Sequence, residues 1–176
     1  MRTNSKTQDE KLLSLADEAI EKVEKTAVPK TLCRVFDCEV KGDTVELGGY
    51  VFKSARLAEN LRNCKKAALF GATLGIQCDQ MINLALKDNL SLVIALQAAA
   101  AAKIEEVCDS LEEELKKQYG AELRQRYSPG YYDLDISEQK KVFALLELTK
   151  RIGITLTETC EMLPTKSVTA FIGIED

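Results

Sequence analysis

The sequence contains no histidine, which limits the chemistry that the chain can perform. Histidine is the commonest general base and the usual partner of a serine or cysteine nucleophile. The six cysteines, at positions 33, 38, 64, 78, 108 and 160, include no Cys-x-x-Cys pair, so a structural zinc site is disfavoured as well. We therefore expect no catalytic residue of the common types and no metal site, with the cysteines serving as small buried hydrophobic residues.

Long apolar runs and clusters of basic residues are also missing. The apolar stretch at residues 90–102 is shorter than the roughly 20 residues that a membrane span requires. The first residues, Met-Arg-Thr-Asn-Ser-Lys, precede no apolar segment of the kind found in secretory signals. The 24 Lys and Arg residues are interleaved with 28 Asp and Glu residues, so no coherent basic face is available for nucleic acid. We expect a cytoplasmic protein that binds neither membranes nor nucleic acid.

The apolar pattern of the 176 residues predicts an α+β fold. Residues 1–29 are expected to form an N-terminal unit with an amphipathic helix at 8–26, and residues 30–176 an α+β domain. The wholly apolar run at 67–72 indicates a strand buried on both faces. Further strands are predicted at residues 31–40, 44–47 and 167–174. We expect a small mixed or antiparallel sheet with helices packed on one side of it.

A long central helix is predicted at residues 90–119, which are strong helix formers and include five consecutive alanines. On this helix Glu105 and Asp109 are spaced i, i+4 and share one face. Such a pair is commonly a solvated acidic stripe, although a carboxylate at the border of a buried face can hold a cationic ligand. Shorter helices are predicted after Ser54, at residues 77–86 and at residues 135–150.

The turn Arg-Tyr-Ser-Pro-Gly-Tyr-Tyr-Asp at residues 126–133 follows the long helix. Pro129 fixes its own φ and Gly130 can adopt a positive φ, so the pair predicts a tight reversal of the chain. The reversal would bring Tyr131 beside Arg126. Because Ser-Pro-Gly is also common in ordinary loops, two interpretations remain open: a plain connection between helices, or the wall of a pocket that contains one cation.

Several stretches taken together resemble one known family. They are Ala-Thr-Leu-Gly at 72–75, Arg-Tyr-Ser-Pro-Gly-Tyr at 126–131, Ser-Glu-Gln-Lys at 137–140, Ile-Gly-Ile-Thr-Leu-Thr-Glu at 152–158, Met-Leu-Pro at 162–164 and Ser-Val-Thr-Ala at 167–170. In this order, over residues 30–174, the sequence resembles the activation domain of cobalamin-dependent methionine synthase, in its free-standing form. The resemblance implies the α+β fold of that domain.

The resemblance also implies an accessory protein that binds S-adenosylmethionine and serves methionine biosynthesis. In that family a flavodoxin supplies an electron, and S-adenosylmethionine supplies the methyl group that restores inactive cobalamin. The chain contains no cobalamin-binding segment, so the cobalamin would lie on a separate methionine synthase core. The chain would then be a component of a methyltransferase system and would act in trans. Methyl transfer from a sulfonium requires orientation rather than a general base, which agrees with the absence of histidine.

The resemblance assigns roles to residues of the turn. Arg126 would bind the methionyl carboxylate of the ligand through two parallel hydrogen bonds. Backbone groups of Tyr127, Ser128 and Gly130 would line the ligand. Tyr131 would lie at the mouth of the pocket, toward the corrin ring.

The resemblance assigns the counter-charge to acidic residues. Glu105 would hold the amino or sulfonium charge of the ligand, and Asp109 is a further candidate. The family's acidic residue a little ahead of the arginine has no exact counterpart here: Gly120 stands near that place, and Glu122 is the nearest carboxylate.

Other functions stay open at this point. The missing acidic residue favours a non-catalytic interaction module that docks on a different corrinoid methyltransferase. A cysteine-based enzyme would need a thiolate, for which Cys64 beside Lys65 and Lys66 is the candidate. Nucleotide binding at residues 71–75 is disfavoured, because the segment has neither a Gly-x-Gly-x-x-Gly nor a Gly-Lys-Ser/Thr element.

Overall fold

The computed structural model describes residues 3–87 and 89–175. The helices within these ranges are α1 (Thr3–Thr26), α2 (Ala55–Asn60), α3 (Ile76–Ala85), α4 (Leu90–Tyr119), α5 (Gln139–Leu146) and α6 (Leu148–Ile152), with a 3₁₀ turn at Ile136–Glu138. The strands are β1 (Lys30–Lys41), β2 (Thr44–Leu47), β3 (Tyr50–Lys53), β4 (Lys66–Thr73), β5 (Thr155–Leu156), β6 (Met162–Leu163) and β7 (Ser167–Ile174).

The main sheet has five strands in the order β3-β2-β1-β4-β7, and each neighbouring pair is antiparallel. Strand β4 lies between β1 and β7, with Phe70 opposite Cys33 on one side and opposite Ala170 on the other. Strands β5 and β6 form a separate two-stranded antiparallel ribbon. The predicted α+β class with an antiparallel sheet is confirmed.

Strand β4 has an apolar core on each of its faces. Ala68 and Phe70 pack with α1, α3 and α4, whereas Ala67 and Leu69 pack with α2, α5 and α6. Side chains of a strand alternate between the two faces of a sheet, so an unbroken apolar run needs cover on both. The prediction that β4 is buried on both faces is confirmed. The prediction that helices lie on only one side of the sheet was wrong.

Helix α1 begins at Thr3, earlier than the predicted residue 8. The side chains that it buries in the core lie in its second half. Ala19 and Val23 are buried in the cluster that also contains α4. Leu12 and Leu13 are mostly exposed, with 68% and 65% of their surfaces accessible. The amphipathic pattern therefore predicted the helix correctly but overestimated the part of its apolar face that the core covers.

Helix α4 occupies the predicted range and supports most of one core. The side chain of Asn89 accepts a hydrogen bond from the Leu92 N–H at 3.0 Å, and Gly120 ends the helix with a left-handed backbone. The buried side of the helix includes Leu96, Ala100, Ile104, Cys108 and Leu111. No described helix, α4 included, is long and apolar enough to span a membrane.

The segment after the turn is not one continuous helix. A 3₁₀ turn leads into α5, and Glu147 then adopts a left-handed backbone with φ of 53° that separates α5 from α6. Gly153, with φ of 78°, ends α6 as its position predicts. The prediction of a single helix to about Lys150 was therefore wrong at Glu147.

Leu96→Ala and Leu13→Ala make the same chemical change at a buried and an exposed site of two helices. We expect Leu96→Ala to lower the free energy of unfolding by about 2–5 kcal/mol, since it leaves a cavity in the core. Leu13→Ala should change it by less than about 0.5 kcal/mol. Urea unfolding at equilibrium measures both. Equal losses in the two variants would contradict the packing of α1 described above.

Candidate functional site

A cleft of about 1230 Å³ opens beside the 126–133 turn. Its walls come from α2, from α4, from the turn, from the start of α5 and from the strands β6 and β7. Small-molecule sites commonly have volumes of roughly 300–1,000 Å³, so the cleft has room for a ligand of cofactor size. The turn is thus the wall of a cleft rather than a plain connection between helices.

The start of the turn and the residues just before it are hydrogen-bonded to the outer edge of β7. The Tyr127 N–H donates to the Phe171 carbonyl at 3.0 Å, and the Phe171 N–H donates to the Tyr127 carbonyl at 2.8 Å. The Arg124 N–H donates to the Gly173 carbonyl at 2.8 Å. Because side chains alternate along extended backbone, Tyr127 enters the core that contains α5, and Arg126 lies against α4 on the other side.

The turn itself is the tight reversal that the sequence predicts. Gly130 has a φ of 91°, its N–H donates to the Leu134 carbonyl at 2.8 Å, and the Tyr131 N–H donates to the Ser128 carbonyl at 3.2 Å. A Cβ at position 130 would lie 3.0 Å from Cδ1 of Ile136. Both the backbone conformation and the lack of space therefore favour glycine at this position.

Asp133 attaches the end of the turn to the start of α2. Its carboxylate accepts hydrogen bonds from the Ser54 hydroxyl at 2.5 Å, from the Ala55 N–H at 2.7 Å and from the Tyr127 hydroxyl at 3.3 Å. Ser54 is also the N-cap of α2, where its oxygen accepts from the Leu57 N–H at 2.9 Å. The hydrogen bond from Ser54 holds the pKa of Asp133 below its usual value. Partial desolvation opposes this shift, and backbone N–H groups of α2 add to it.

Arg126 lies among three carboxylates of α4. Its Nη2 donates to Glu105 Oε2 at 3.0 Å and to Asp109 Oδ1 at 2.9 Å, and its Nε lies 3.0 Å from Glu112 Oε1. The structure therefore brings together Arg126 and the predicted acidic pair. Glu112 was not predicted, although its spacing of i+3 from Asp109 and i+7 from Glu105 continues the same helix face.

The cluster around Arg126 has more negative than positive charge, and one guanidinium nitrogen has no partner in the described part of the chain. Burial lowers the pKa of Arg126, but the surrounding acids, chiefly Glu112, raise it by more. The pKa of Arg126 therefore lies above its usual value. Burial raises the pKa of Glu112, and the charge of Arg126 opposes this shift. Three carboxylates surround one guanidinium, so the cluster has a surplus of negative charge. Arg126 Nη1 is buried and has no hydrogen-bond partner among the described residues. An unpaired buried donor is costly, so an acceptor placed beside Nη1 would be stabilising.

The other predicted site residues divide between the cleft and its surroundings. Ser128 and Tyr131 line the cleft, and Tyr131 is 64% exposed at its edge. Gly130 shapes the turn but is not itself part of the lining. Glu122 is exposed, its backbone carbonyl accepts from the Glu175 N–H, and the structure does not bring it to the cleft. Glu112, rather than Glu122, is the additional acid beside Arg126.

A further wall of the cleft is formed by residues that were not predicted as site residues. Gln139 is only 3% exposed, and its Oε1 accepts a hydrogen bond from the Thr169 hydroxyl at 2.7 Å. Met162, on β6, lies beside the amide nitrogen of Gln139. All three residues belong to the short motifs at 137–140, 162–164 and 167–170, so the sequence did contain a signal for them.

The cysteines give no support to a thiolate enzyme. Cys64, Cys78, Cys108 and Cys160 are buried, and Cys33 and Cys38 are partly buried. Burial raises the pKa of the thiols of Cys33, Cys38 and Cys108 to about 11. Cys64, the candidate nucleophile, is 5% exposed and does not line the cleft. A reactive cysteine needs both access and a lowered pKa.

Comparisons with known proteins identify one family. The family model described as "Vitamin B12 dependent methionine synthase, activation domain" matches residues 67–176, more than half of the chain. A crystal structure of the MetH reactivation domain bound to AdoHcy is similar in fold, with a TM-score of 0.64 and 22% sequence identity. The similarity covers 95% of this chain and 65% of the reactivation-domain chain. This chain thus spans less than two thirds of the length of that solved structure. No curated protein matches the sequence.

Asp133→Asn tests whether the carboxylate anchors the turn. The folded-state pKa of Asp133 is lowered, so its ionised form stabilises the fold above the unfolded value of about 3.9. That contribution is lost as the pH falls through the lowered value. We expect the variant to be less stable than the wild-type protein at pH 7, and the difference to shrink below about pH 4. Urea unfolding from pH 7 to pH 3 measures this, and a difference that does not depend on pH would contradict it.

Proposed function

The chain belongs to the family of vitamin B12 dependent methionine synthase activation domains, and from this premise we propose that its cleft binds S-adenosylmethionine. The bound ligand would supply a methyl group to cobalamin held on a separate methionine synthase core, after a flavodoxin-like protein has supplied an electron. The chain would thus be an accessory component of a cytoplasmic methyltransferase system. Residues 30–176 would form the ligand-binding domain, with α4 as one of its walls.

The arrangement of Arg126 is the observation that carries this proposal. The free end of methionine in the ligand has a carboxylate and an ammonium group close together. Arg126 Nη1 is unpaired and could bind the carboxylate, and the acids around it could bind the ammonium. A guanidinium binds a carboxylate more strongly than a neutral donor does, because the hydrogen bond is assisted by charge.

The surplus of negative charge also suits a sulfonium. S-adenosylmethionine has one positive charge more than its demethylated product, and Glu105 lines the cleft beside Arg126. An opposite charge nearby stabilises a cation, and the effect increases when water is partly excluded. Glu105, with Asp109 and Glu112 next to it on α4, would therefore favour the charged methyl donor. No general base is required of the chain, because methyl transfer depends on orientation.

The turn would complete the binding surface. The backbone of Tyr127, Ser128 and Gly130 would lie along the ligand, in a conformation held by Asp133 and by the pairing with β7. Tyr131 and Tyr132, which are 64% and 84% exposed, would contact the cobalamin-bearing partner at the mouth. Large exposed aromatic side chains at the rim of a cleft are typical of contact surfaces.

One observation favours the alternative, a module that docks on a different corrinoid methyltransferase without binding the ligand. Nη2 and Nε of Arg126 already face carboxylates of the chain itself, so the guanidinium has a structural partner without any ligand. A titration with the ligand separates the two functions.

Arg126→Ala, with Arg124→Ala as its matched control, tests the proposal. Arg124 is two residues away and pairs with Glu175, and it does not line the cleft. We expect Arg126→Ala to weaken binding of S-adenosylmethionine by about 30- to 150-fold, the size of a lost hydrogen bond between charged groups. Arg124→Ala should bind like the wild-type protein. Isothermal titration calorimetry measures the affinities, and thermal melting verifies that each variant is folded.

Absence of binding to the folded wild-type protein would contradict the proposal and favour the docking module. Equal affinity of the wild-type protein and of Arg126→Ala would contradict the role of Arg126 while leaving the ligand in place.

A further inference from the structure

We infer that the side-chain amides of Gln139 and Asn60 bind the nucleoside part of the ligand, one as a hydrogen-bond donor and the other as an acceptor. The inference rests on the proposed function, which places the amino acid part of the ligand at Arg126. Both amides line the same cleft as Arg126 but lie on different elements, at the start of α5 and at the end of α2.

The amide of Gln139 has an unused donor. Its Oε1 accepts from the Thr169 hydroxyl at 2.7 Å, while Nε2 faces the Met162 sulfur at 4.0 Å. A thioether can only accept, and weakly, so this orientation of the amide is the consistent one. The amide nitrogen carries two N–H donors, and among the described residues only this sulfur receives one. Gln139 is buried, with only 3% of its surface exposed, and it lines the cleft.

The amide of Asn60 has the complementary unused group. Its Nδ2 donates to the backbone carbonyl of Gln125 at 3.2 Å, which fixes the orientation because a carbonyl can only accept. Its Oδ1 is then directed elsewhere, and this oxygen is buried without a hydrogen-bond partner in the described part of the chain. A buried acceptor that stays unpaired costs free energy, and a ligand in the cleft would remove that cost.

The chemistry of these groups suits adenosine better than the amino acid part of the ligand. Adenosine is neutral, and it offers acceptors at ring nitrogens and donors at the exocyclic amine and the ribose hydroxyls. Neutral amides bind such groups without the desolvation penalty of a charge. The charged part of the cleft, around Arg126, would hold the charged part of the ligand. The two neutral amides, on α2 and α5, would then hold the nucleoside.

Binding of 5′-methylthioadenosine tests this inference, because that compound has the nucleoside but neither the carboxylate nor the ammonium group. We expect Gln139→Met and Asn60→Leu each to weaken binding of 5′-methylthioadenosine and of S-adenosylmethionine by about tenfold, the size of one neutral hydrogen bond. Arg126→Ala should weaken only S-adenosylmethionine. Isothermal titration calorimetry gives all these affinities.

Two conservative variants separate hydrogen bonding from a loss of structure. Asn60→Asp keeps the acceptor oxygen and should bind 5′-methylthioadenosine more tightly than Asn60→Leu. Gln139→Glu keeps the acceptor for Thr169 but removes the donor, so it should bind as weakly as Gln139→Met. Thermal melting of each variant shows whether the fold is kept.

Unchanged affinity for 5′-methylthioadenosine in folded Gln139→Met, Gln139→Glu and Asn60→Leu would overturn this inference and leave the proposed function standing. Failure of the wild-type protein to bind S-adenosylmethionine would overturn both.

Discussion

The pairing of Tyr127 with Phe171 determines where the functional groups of this protein lie. Two backbone hydrogen bonds attach the start of the turn to the edge of β7. On extended backbone, consecutive side chains point in opposite directions, so the pairing directs Tyr127 into one core and Arg126 toward α4. A shift of one residue in this register would exchange the two side chains, turning Arg126 into the apolar core and Tyr127 toward the carboxylates of α4. The cleft depends on that register.

The rest of the fold holds the partners of Arg126 and of the turn in place. One face of β4 supports α4, which carries the three carboxylates, and the other supports α2 and α5, which carry the N-cap bound by Asp133 and the amide of Gln139. A two-faced sheet thus brings acidic, amide and aromatic groups from distant parts of the sequence to one cleft. The carboxylates lie within α4, whereas the turn and the first residues of α2 and α5 carry the other groups.

Local sequence patterns predicted the elements well where their signals are long or chemically specific. The bounds of α4, the buried strand β4 and the Ser54 cap of α2 follow from helix propensity, an apolar run and capping chemistry. Strand β6 has two residues, too short for a period to be recognised, and β3 was missed although it is as long as the predicted β2. The left-handed Glu147 that divides α5 from α6 has no marker in residue type, since glycine or asparagine is usual in that conformation.

The candidate site was predictable in part. Residue spacing placed Glu105 and Asp109 on one helix face, turn chemistry predicted the reversal, and only the family resemblance associated these acids with Arg126. The role of Asp133 could not be predicted, because its partner Ser54 lies 79 residues away in the sequence and only the tertiary fold joins them. Glu112 continues the face of α4 that holds Glu105 and Asp109, but nothing local shows that this face meets Arg126. The placement of Gln139 in the cleft likewise depends on β7.

The most direct test of the central claim is a crystal structure of the protein with S-adenosylhomocysteine bound. We expect the ligand to lie in the cleft, with its carboxylate within hydrogen-bond distance of Arg126 Nη1 and its ammonium group next to carboxylates of α4. A ligand bound outside the cleft, or one whose carboxylate does not contact Arg126, would contradict it.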